Sequence, residues 1–309
     1  MSVSPYCPYC HKKLALKQLK WSHSNCGKSF DSPGRLFRSN STPPPCPEAS
    51  TCTCPCTQVL GARVCQHCRR LLPVSIAEGC KVINIIVAGH PGVGKSSFIS
   101  AAVERMRQLS SAFHWSWIEC YTGPKDNTWL YELHRNNKCW LISFQENEVG
   151  ANSLKEAEAL AGIIYVMQPG QFQMVHAELP SDNSTTVSSD EWDDTCNRII
   201  CLGQRFPKLP QAIVLNKIDE LQDNSCRWAF DQVSHLTCCN SGHQGALNQQ
   251  ELETVNCEIE NWLSTAEPVL AELSQQSYSM RFFGIHATAP PLRVEDPLLW
   301  VLSQNGIIR

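Results

Sequence analysis

One stretch of eight residues limits the folds open to this chain more than any other feature. The residues GHPGVGKS (89–96) match the phosphate-loop pattern G-x-x-x-x-G-K-[ST]. The stretch follows the uniformly apolar run KVINIIVA (81–88), which is typical of a buried strand, and precedes SSFISAAVERMRQL (96–109), where apolar residues recur at helical spacing. This strand, loop and helix order is the context that the pattern requires, so the sequence predicts an α/β domain with a phosphate site.

The rest of the chain continues the same alternation of strands and helices. With 42% apolar and 18% charged residues, the 309-residue chain can build one sizeable core, which excludes wholesale disorder. The sequence predicts an α/β fold with three layers (αβα) and a mostly parallel sheet with one antiparallel hairpin strand. The predicted strands are KVINIIVA, the hairpin TWLYELH and CWLISFQ around 135–138, GIIYVMQ, QAIVLN and RFFGIH; the predicted helices are 96–109, SLKEAEALA, 251–273 and 295–302.

The residues of the phosphate loop have separate expected roles. Glycines let backbone N–H groups converge on the α- and β-phosphates, where most side chains would obstruct them. Lys95 is expected to reach the β- and γ-phosphates, and the Ser96 hydroxyl is expected to bind Mg²⁺. The helix that begins there adds its positive end. The predicted phosphate contacts are Gly89, Gly92, Val93, Gly94, Lys95, Ser96 and Ser97.

A second loop, NKID (216–219), follows the apolar strand QAIVLN and so lies at the edge where open α/β sheets bind nucleotides. An aspartate at the end of this loop can accept two hydrogen bonds from the N1–H and exocyclic amine of guanine, whereas adenine offers no such pair on that edge. We therefore expect Asp219 to select guanine, Asn216 to tie this loop to the phosphate loop, and the stem of Lys217 to lie on the base. An ordinary turn after a strand is the competing interpretation.

With both loops in this order, residues 81–309 resemble the translation-factor-related class of P-loop GTPases, whose guanine signature is NKxD. The resemblance implies binding of GTP or GDP with Mg²⁺. It also implies that RFFGIHAT (281–288) contains the last strand and the family's Ser-Ala loop, with His286 where serine is usual and the Ala287 N–H directed at guanine O6.

The chain departs from this family at the magnesium motif Asp-x-x-Gly. The best register places Asn147 at the aspartate and Gly150 at the glycine, and a shift by one residue would offer Glu146 or Glu148 instead. Nucleotide binding is therefore predicted with more support than hydrolysis, and an active GTP hydrolase remains the alternative. The first switch loop is expected within 115–128, where Thr122 or Thr128 could supply a hydroxyl to Mg²⁺.

The first part of the chain is rich in cysteine, with nine of the eighteen cysteines within 68 residues. Clustered cysteines in a reducing compartment hold metal more often than disulfides, so we expect zinc. One site is predicted from C-x2-C-x12-H-x2-C, and a second from a later group; a single site joining the first and last Cys-x2-Cys pairs is the alternative. The predicted zinc ligands are Cys7, Cys10, His23 and Cys26, then Cys52, Cys54, Cys56, Cys65 and Cys68.

Outside these groups, the remaining cysteines are expected to be buried thiols, because cysteine behaves as a small hydrophobe. They include Cys80, Cys120 and Cys139.

Composition divides the chain into two modules, a zinc-binding module at 1–75 and the nucleotide domain at 76–309. The first 80 residues carry ten basic and three acidic residues, whereas the others carry 16 and 26, so different partners are expected. A Pro/Ser-rich connector spans 39–53. A flexible acidic insertion is predicted near 179–194.

A zinc module before a P-loop GTPase domain, with the tail VEDPLLW (294–300), resembles the bacterial double-GTPase families of conflict and defence systems. This implies a guanine-nucleotide switch or regulatory subunit with a protein partner, which could be a second GTPase. A less favoured alternative is nucleic-acid binding by the basic zinc module. No run is long and apolar enough to span a membrane, so we expect a cytoplasmic protein.

Overall fold

The computed structural model describes most of the residues of the chain. These are residues 5–15, 19–22, 29–30, 62–77, 79–123, 127–147, 159–172, 175, 189–221, 228–230, 234–237, 242–276, 279–288 and 290–308.

The strands form two sheets, one of four strands in the order β2-β1-β3-β4 and one of seven in the order β11-β10-β9-β5-β8-β7-β6. The seven-stranded sheet is mostly parallel, which confirms the predicted α/β class. The strands are β1 (Lys20–Ser22), β2 (Ser29–Phe30), β3 (Ala62–Val64), β4 (Leu71–Leu72), β5 (Lys81–Ala88), β6 (Ser116–Gly123), β7 (Thr128–Arg135), β8 (Lys138–Asn147), β9 (Leu160–Met167), β10 (Gln211–Leu215) and β11 (Met280–Gly284).

Seven α-helices connect or follow these strands in the described segments. They are α1 (Val74–Ala77), α2 (Lys95–Gln108), α3 (Ser110–Phe113), α4 (Ser189–Arg205), α5 (Gln249–Ala266), α6 (Pro268–Gln276) and α7 (Asp296–Gln304). None of these helices combines the length and the apolarity that crossing a bilayer requires.

The chain divides into two compact units. The first contains residues 1–84 and 116–143, and the second contains residues 85–115 and 144–309. The first unit therefore takes in more of the chain than the predicted module at 1–75, because it includes β6, β7 and part of β8.

In the second unit, three neighbouring parallel strands end at the same level. Leu215, the last residue of β10, pairs with Met167 of β9 on one side and with Gly284 of β11 on the other. Because parallel strands point the same way, the loops that follow them emerge together at one edge of the sheet. This register brings the NKID loop and the loop after β11 next to each other.

Apolar packing fixes this arrangement. All five residues of β10 are buried, as expected for a strand covered on both faces. Helix α5 buries Leu252, Val255, Ile259 and Leu263, which are spaced three or four residues apart along one helical face. The side chain of Asn248 caps this helix by accepting a hydrogen bond from the Glu251 N–H. The predicted helix at 251–273 is in fact two helices, because Pro268 begins a new one.

In the first unit, the predicted hairpin is confirmed. Strands β7 and β8 are joined by Asn136 and Asn137, whose φ angles of 51° and 57° lie in the left-handed region. Two consecutive left-handed residues match the right-handed twist of the strands they join, and asparagine tolerates this conformation well. Strand β7 also pairs antiparallel with β6, a strand that the sequence analysis missed.

Two further expectations need correction. Residues 160–161 belong to β9 and not to the predicted helix SLKEAEALA, whose residues 153–158 lie outside the described segments. Residues 189–194, predicted as part of the acidic insertion, form the first turns of α4. The other residues of that insertion, 179–188, are not among those described.

Candidate functional site

The phosphate loop lies between β5 and α2 in the second unit, as the motif requires. Gly94 has a φ of +89°, and a Cβ built on it would lie 2.6 Å from Nδ2 of Asn216. At Gly89, a Cβ would lie 2.4 Å from the carbonyl oxygen of Val166. Both glycines are therefore required by close approaches within the protein, before any ligand is considered.

Lys95 and the start of α2 concentrate positive charge at this loop. The Lys95 ammonium donates hydrogen bonds of 2.9 Å to the carbonyl oxygens of Gly89 and His90, which fixes it beside the first residues of the loop. The N-cap residue, Gly94, offers no side chain to the first-turn N–H groups, and Ser96 and Ser97 are exposed. A helix N-terminus next to a lysine is a good environment for an anion.

Asn216 holds three loops together with one buried amide. Its Nδ2 donates to the carbonyl oxygen of Val93 at 2.9 Å, and its Oδ1 accepts from the backbone N–H groups of Lys217 at 2.9 Å and Ala287 at 3.2 Å. Only 3% of the residue is exposed. The sequence predicts that Asn216 ties the NKID loop to the phosphate loop, and its bond to Val93 does so.

The loop after β11 lies against the NKID loop, but its contacts differ from expectation. The Ala287 N–H, expected to face guanine O6, is bonded to Asn216. Two backbone hydrogen bonds between His286 and Leu292 stabilise this loop. His286, where the resembled family has serine, places Nε2 3.5 Å from Oδ1 of Asp219.

Asp219 itself remains accessible. It lies in a 3-10 turn (Ile218–Leu221), and 42% of its side chain is exposed. The neighbouring Lys217 adopts a left-handed backbone conformation, with φ of 61°, and its ammonium lies 3.8 Å from a carboxylate oxygen of Glu220. Burial raises the pKa of Glu220, while Lys217 opposes this shift. Because its side chain is partly exposed, Asp219 can accept hydrogen bonds from a ligand at this edge of the sheet.

The structure describes only some of the residues expected around Mg²⁺. Asn147 ends β8 and is partly buried, whereas Gly150 and Glu148 lie outside the described residues. Oε1 of Glu146 is buried and, within the part of the chain that the structure describes, accepts no hydrogen bond. A buried carboxylate oxygen without a donor is costly, so this atom is a candidate for a cation or its water.

The expected switch loop is replaced in large part by a strand. Thr122 lies in β6, and Thr128 is fully buried at the start of β7. Thr122 thus lies in a strand and not in the expected loop, and its hydroxyl as a ligand of Mg²⁺ stays a prediction.

Four cysteines of the first unit converge. The sulfur atoms of Cys7 and Cys68 are 3.8 Å apart, as are those of Cys10 and Cys65, and all four lie within 4.8 Å of one another. A tetrahedral zinc ion with Zn–S bonds of about 2.3 Å spaces its sulfur ligands about 3.8 Å apart. The residues present fit a metal ion such as zinc.

The two Cys-x2-Cys turns are copies of each other in backbone geometry. The Cys7 N–H donates to the Lys12 carbonyl and the Cys65 N–H to the Arg70 carbonyl, both at 2.9 Å. In each turn, the N–H two residues after the first cysteine, that of Tyr9 or His67, donates to its sulfur at 3.4 Å. Such donors stabilise thiolates, the form that binds metal.

The pKa values in this cluster follow from burial and these donors. Burial raises the pKa of Cys7 and raises that of Cys10 to about 11. Burial also acts to raise the pKa of Cys65, but the net effect is a lowered pKa. The lowering comes from backbone hydrogen bonds donated by Cys68 and His67 and from side-chain hydrogen bonds with Cys7 and Cys68.

The structure groups the four described ligands as in the alternative and not as in the favoured pairing. Cys7 and Cys10 meet Cys65 and Cys68, which was the alternative. The other predicted ligands, His23, Cys26, Cys52, Cys54 and Cys56, lie outside the described residues.

Two histidines, His90 of the phosphate loop and His286 of the loop after β11, had no role predicted from the sequence. His90 places Nε2 3.0 Å from the Thr195 hydroxyl of α4, a helix the sequence analysis did not predict. His286 was recognised only as a departure from serine. Its side chain is longer than that of serine, so it can reach the carboxylate of Asp219.

No protein-family model matches the chain, and a search of curated proteins finds no match either. Function is therefore inferred from the residues and geometry of the chain itself.

The Asn216 bridge leads to a prediction that needs no ligand. Asn216→Asp replaces the Nδ2 donor with an oxygen facing the Val93 carbonyl and buries a charge, so it should destabilise the protein by about 1–3 kcal/mol or more. Chemical denaturation measures this loss, and hydrogen exchange over 89–97 should become faster. Asn197→Asp, at an exposed position of α4, is the matched control. Equal stability of the two variants would contradict the bridging role.

Proposed function

We propose that this chain is a guanine-nucleotide-binding switch or regulatory subunit, with GTP or GDP and Mg²⁺ bound in the second unit. The observation that carries the proposal is the Asn216 side chain, which joins the phosphate loop, the NKID loop and the loop after β11. A protein that recognises a base and its phosphates together needs its base loop and phosphate loop fixed relative to each other.

The phosphate side of the proposal rests on charge and backbone geometry. The Lys95 ammonium and the uncapped first turn of α2 lie at the same loop, so both favour an anion there. Ser96 and Ser97 are exposed at the start of the helix, where a ligand can reach them. Ser96 would contribute a hydroxyl to Mg²⁺, which supplies charge neutralisation for the phosphates when it is bound.

The choice of guanine rests on Asp219. Its carboxylate is partly exposed next to His286, and a carboxylate offers only acceptors at neutral pH. Guanine presents two adjacent donors that match this chemistry, whereas adenine does not. Hydrogen bonds to a charged group contribute about 1.5–3 kcal/mol each, and two of them are enough to separate GTP from ATP.

Calorimetry with purified protein should show that GTP and GDP bind about a hundredfold more tightly than ATP and ADP. Asp219→Asn should reduce this preference to less than about tenfold, because an amide turns a donor toward the donors of guanine. Lys95→Ala should weaken both nucleotides alike.

Two exposed positions provide controls for this experiment. Asp193→Asn and Lys208→Ala make the same chemical changes at positions outside these loops and should leave binding unchanged. Equal affinities for GTP and ATP in the unaltered protein would refute guanine recognition, and no binding of either would refute the nucleotide site.

We further propose that the four-cysteine cluster of the first unit binds Zn²⁺ and that this module contacts a protein partner. The matched sulfur distances and N–H···S bonds support the zinc assignment. The basic excess of the first 80 residues favours an acidic protein surface as partner. The resemblance to double-GTPase families implies that this partner is a second GTPase.

Cys65→Ser should remove one zinc ion per chain, as measured by metal analysis of the purified protein. Structural zinc contributes about 10–16 kcal/mol of apparent binding free energy in small zinc modules, so the first unit should also become sensitive to protease. Cys201→Ser, at an exposed cysteine of α4, should change neither. Unchanged zinc content in Cys65→Ser would contradict the site.

GTP hydrolysis is a second candidate function, and the buried Oε1 of Glu146 favours it. A carboxylate at the end of β8 could hold a water of Mg²⁺, the role for which the resembled family uses aspartate. Asn147, the residue in the expected register, offers only a neutral amide and would hold the metal less strongly.

If Glu146 has this role, Glu146→Gln should slow Mg²⁺-dependent phosphate release about tenfold or more while changing nucleotide affinity much less. Glu272→Gln, an exposed change in α6, is the control. A turnover that persists unchanged in Glu146→Gln would remove Glu146 from the metal site, and no phosphate release from the unaltered protein would leave a binding switch without hydrolysis.

A further inference from the structure

The first unit contains another group of metal-binding side chains, separate in residues from the four-cysteine cluster. Glu132 and His134 lie two residues apart on β7, so both point to the same face of the strand. Cys139 lies near the start of β8, directly across the hairpin turn from His134. Cys80 comes immediately before β5.

The ligand atoms of three of these residues are already close together. Nε2 of His134 lies 3.1 Å from Oε2 of Glu132 and 3.9 Å from Sγ of Cys139. The three atoms all lie within 4.8 Å of one another. Tetrahedral zinc, with bonds of about 2.0–2.3 Å to these ligand types, spaces its ligand atoms about 3.3–3.8 Å apart. The group therefore needs only small side-chain adjustments to surround one ion.

Cys80 lies outside this group of three but next to Cys139, which makes it the candidate for a fourth ligand. Its sulfur lies 2.9 Å from that of Cys139, beyond the S–S distance of about 2.05 Å in a disulfide. Two thiolates on one zinc ion would lie about 3.8 Å apart, so the sulfurs would separate by about 1 Å on metal binding. Cys80 is only 5% exposed, whereas 42% of the His134 side chain is exposed. The site is thus closed on one side and reachable from the other.

We propose that Glu132, His134, Cys139 and Cys80 form a second Zn²⁺ site. The ligands come from β7, β8 and the residue before β5, so the ion would join the hairpin to the segment that leads into β5. This role is structural, and it does not depend on nucleotide binding. It also gives a function to two cysteines, Cys80 and Cys139, that the sequence analysis treats as buried thiols.

The chemistry of the cluster is consistent with a cation. Every member is a neutral or anionic ligand, and the group combines the sulfur, nitrogen and oxygen donors that zinc accepts. Burial raises the pKa of Cys80, and the nearby Cys139 and Glu132 raise it further. A divalent cation would reverse these repulsions and displace the protons of the thiols.

The test compares the zinc content of the full chain with that of single variants. His134→Asn and Cys139→Ser should each lose one zinc ion per chain, and Glu132→Gln should hold that ion more weakly, by about tenfold or more. His114→Asn, Glu119→Gln and Cys201→Ser make the same changes at exposed positions and should lose none. His134 is well exposed, so its replacement should leave the fold intact, as circular dichroism will check.

The Cys65→Ser variant separates the two sites. It should lose the zinc of the four-cysteine cluster only, so Cys65→Ser combined with His134→Asn should lose two ions. Cobalt substitution gives an independent readout, because the absorption assigned to the His134 site should show fewer thiolate-to-metal transitions than that of a four-thiolate site.

Two results would overturn the proposal. One is equal zinc content in the unaltered protein, His134→Asn and Cys139→Ser. The other is a covalent bond between Cys80 and Cys139 in the purified protein, seen by mass spectrometry before reduction, with no difference in zinc.

Discussion

The side chain of Asn216 is the contact on which the geometry of the candidate nucleotide site depends. An amide is suited to this place because it combines a donor and an acceptor, and here the donor meets Val93 while the acceptor meets Lys217 and Ala287. Neither a carboxylate nor a hydroxyl of the same reach could satisfy all three groups. Because the amide is buried, each lost bond would leave a polar group without water, which costs more than the bond itself contributes.

This contact also explains why the phosphate loop needs a glycine at the position that Asn216 approaches closely. A side chain at Gly94 would collide with the amide nitrogen of Asn216. The glycine thus permits the base loop to reach the phosphate loop, and it leaves the first N–H groups of α2 without a side-chain cap. One residue therefore serves both the assembly of the loops and the exposure of anion-binding groups.

The sequence predicted those features whose backbone conformation is set by residues adjacent in the chain. The phosphate loop and the Asn136-Asn137 hairpin depend on conformations that a few adjacent residues specify, and both were predicted. Strand β6 was missed because the family resemblance favoured a switch loop there.

Cysteine pairing could not be chosen from spacing. Closing the chain from Cys10 to His23 or from Cys10 to Cys65 differs in entropy by only about 1 kcal/mol, because the cost grows slowly with loop length. What unites Cys7-x2-Cys10 with Cys65-x2-Cys68 is their repeated backbone: His11 and Arg69, one residue past each turn, both adopt a left-handed conformation. Both Cys-x2-Cys pairs are visible in the sequence, but only the fold shows that their backbones match.

The bond from Ala287 to Asn216 bears on how the proposed nucleotide would be accepted. The Ala287 N–H is the donor expected to face guanine O6, and it is already satisfied. If guanine takes this N–H, Asn216 keeps its bonds to Val93 and Lys217, so the loops stay joined. The exchange replaces one neutral hydrogen bond by another at a net cost near zero. Base recognition would then draw its free energy from Asp219, whose carboxylate is exposed, and not from the backbone donor.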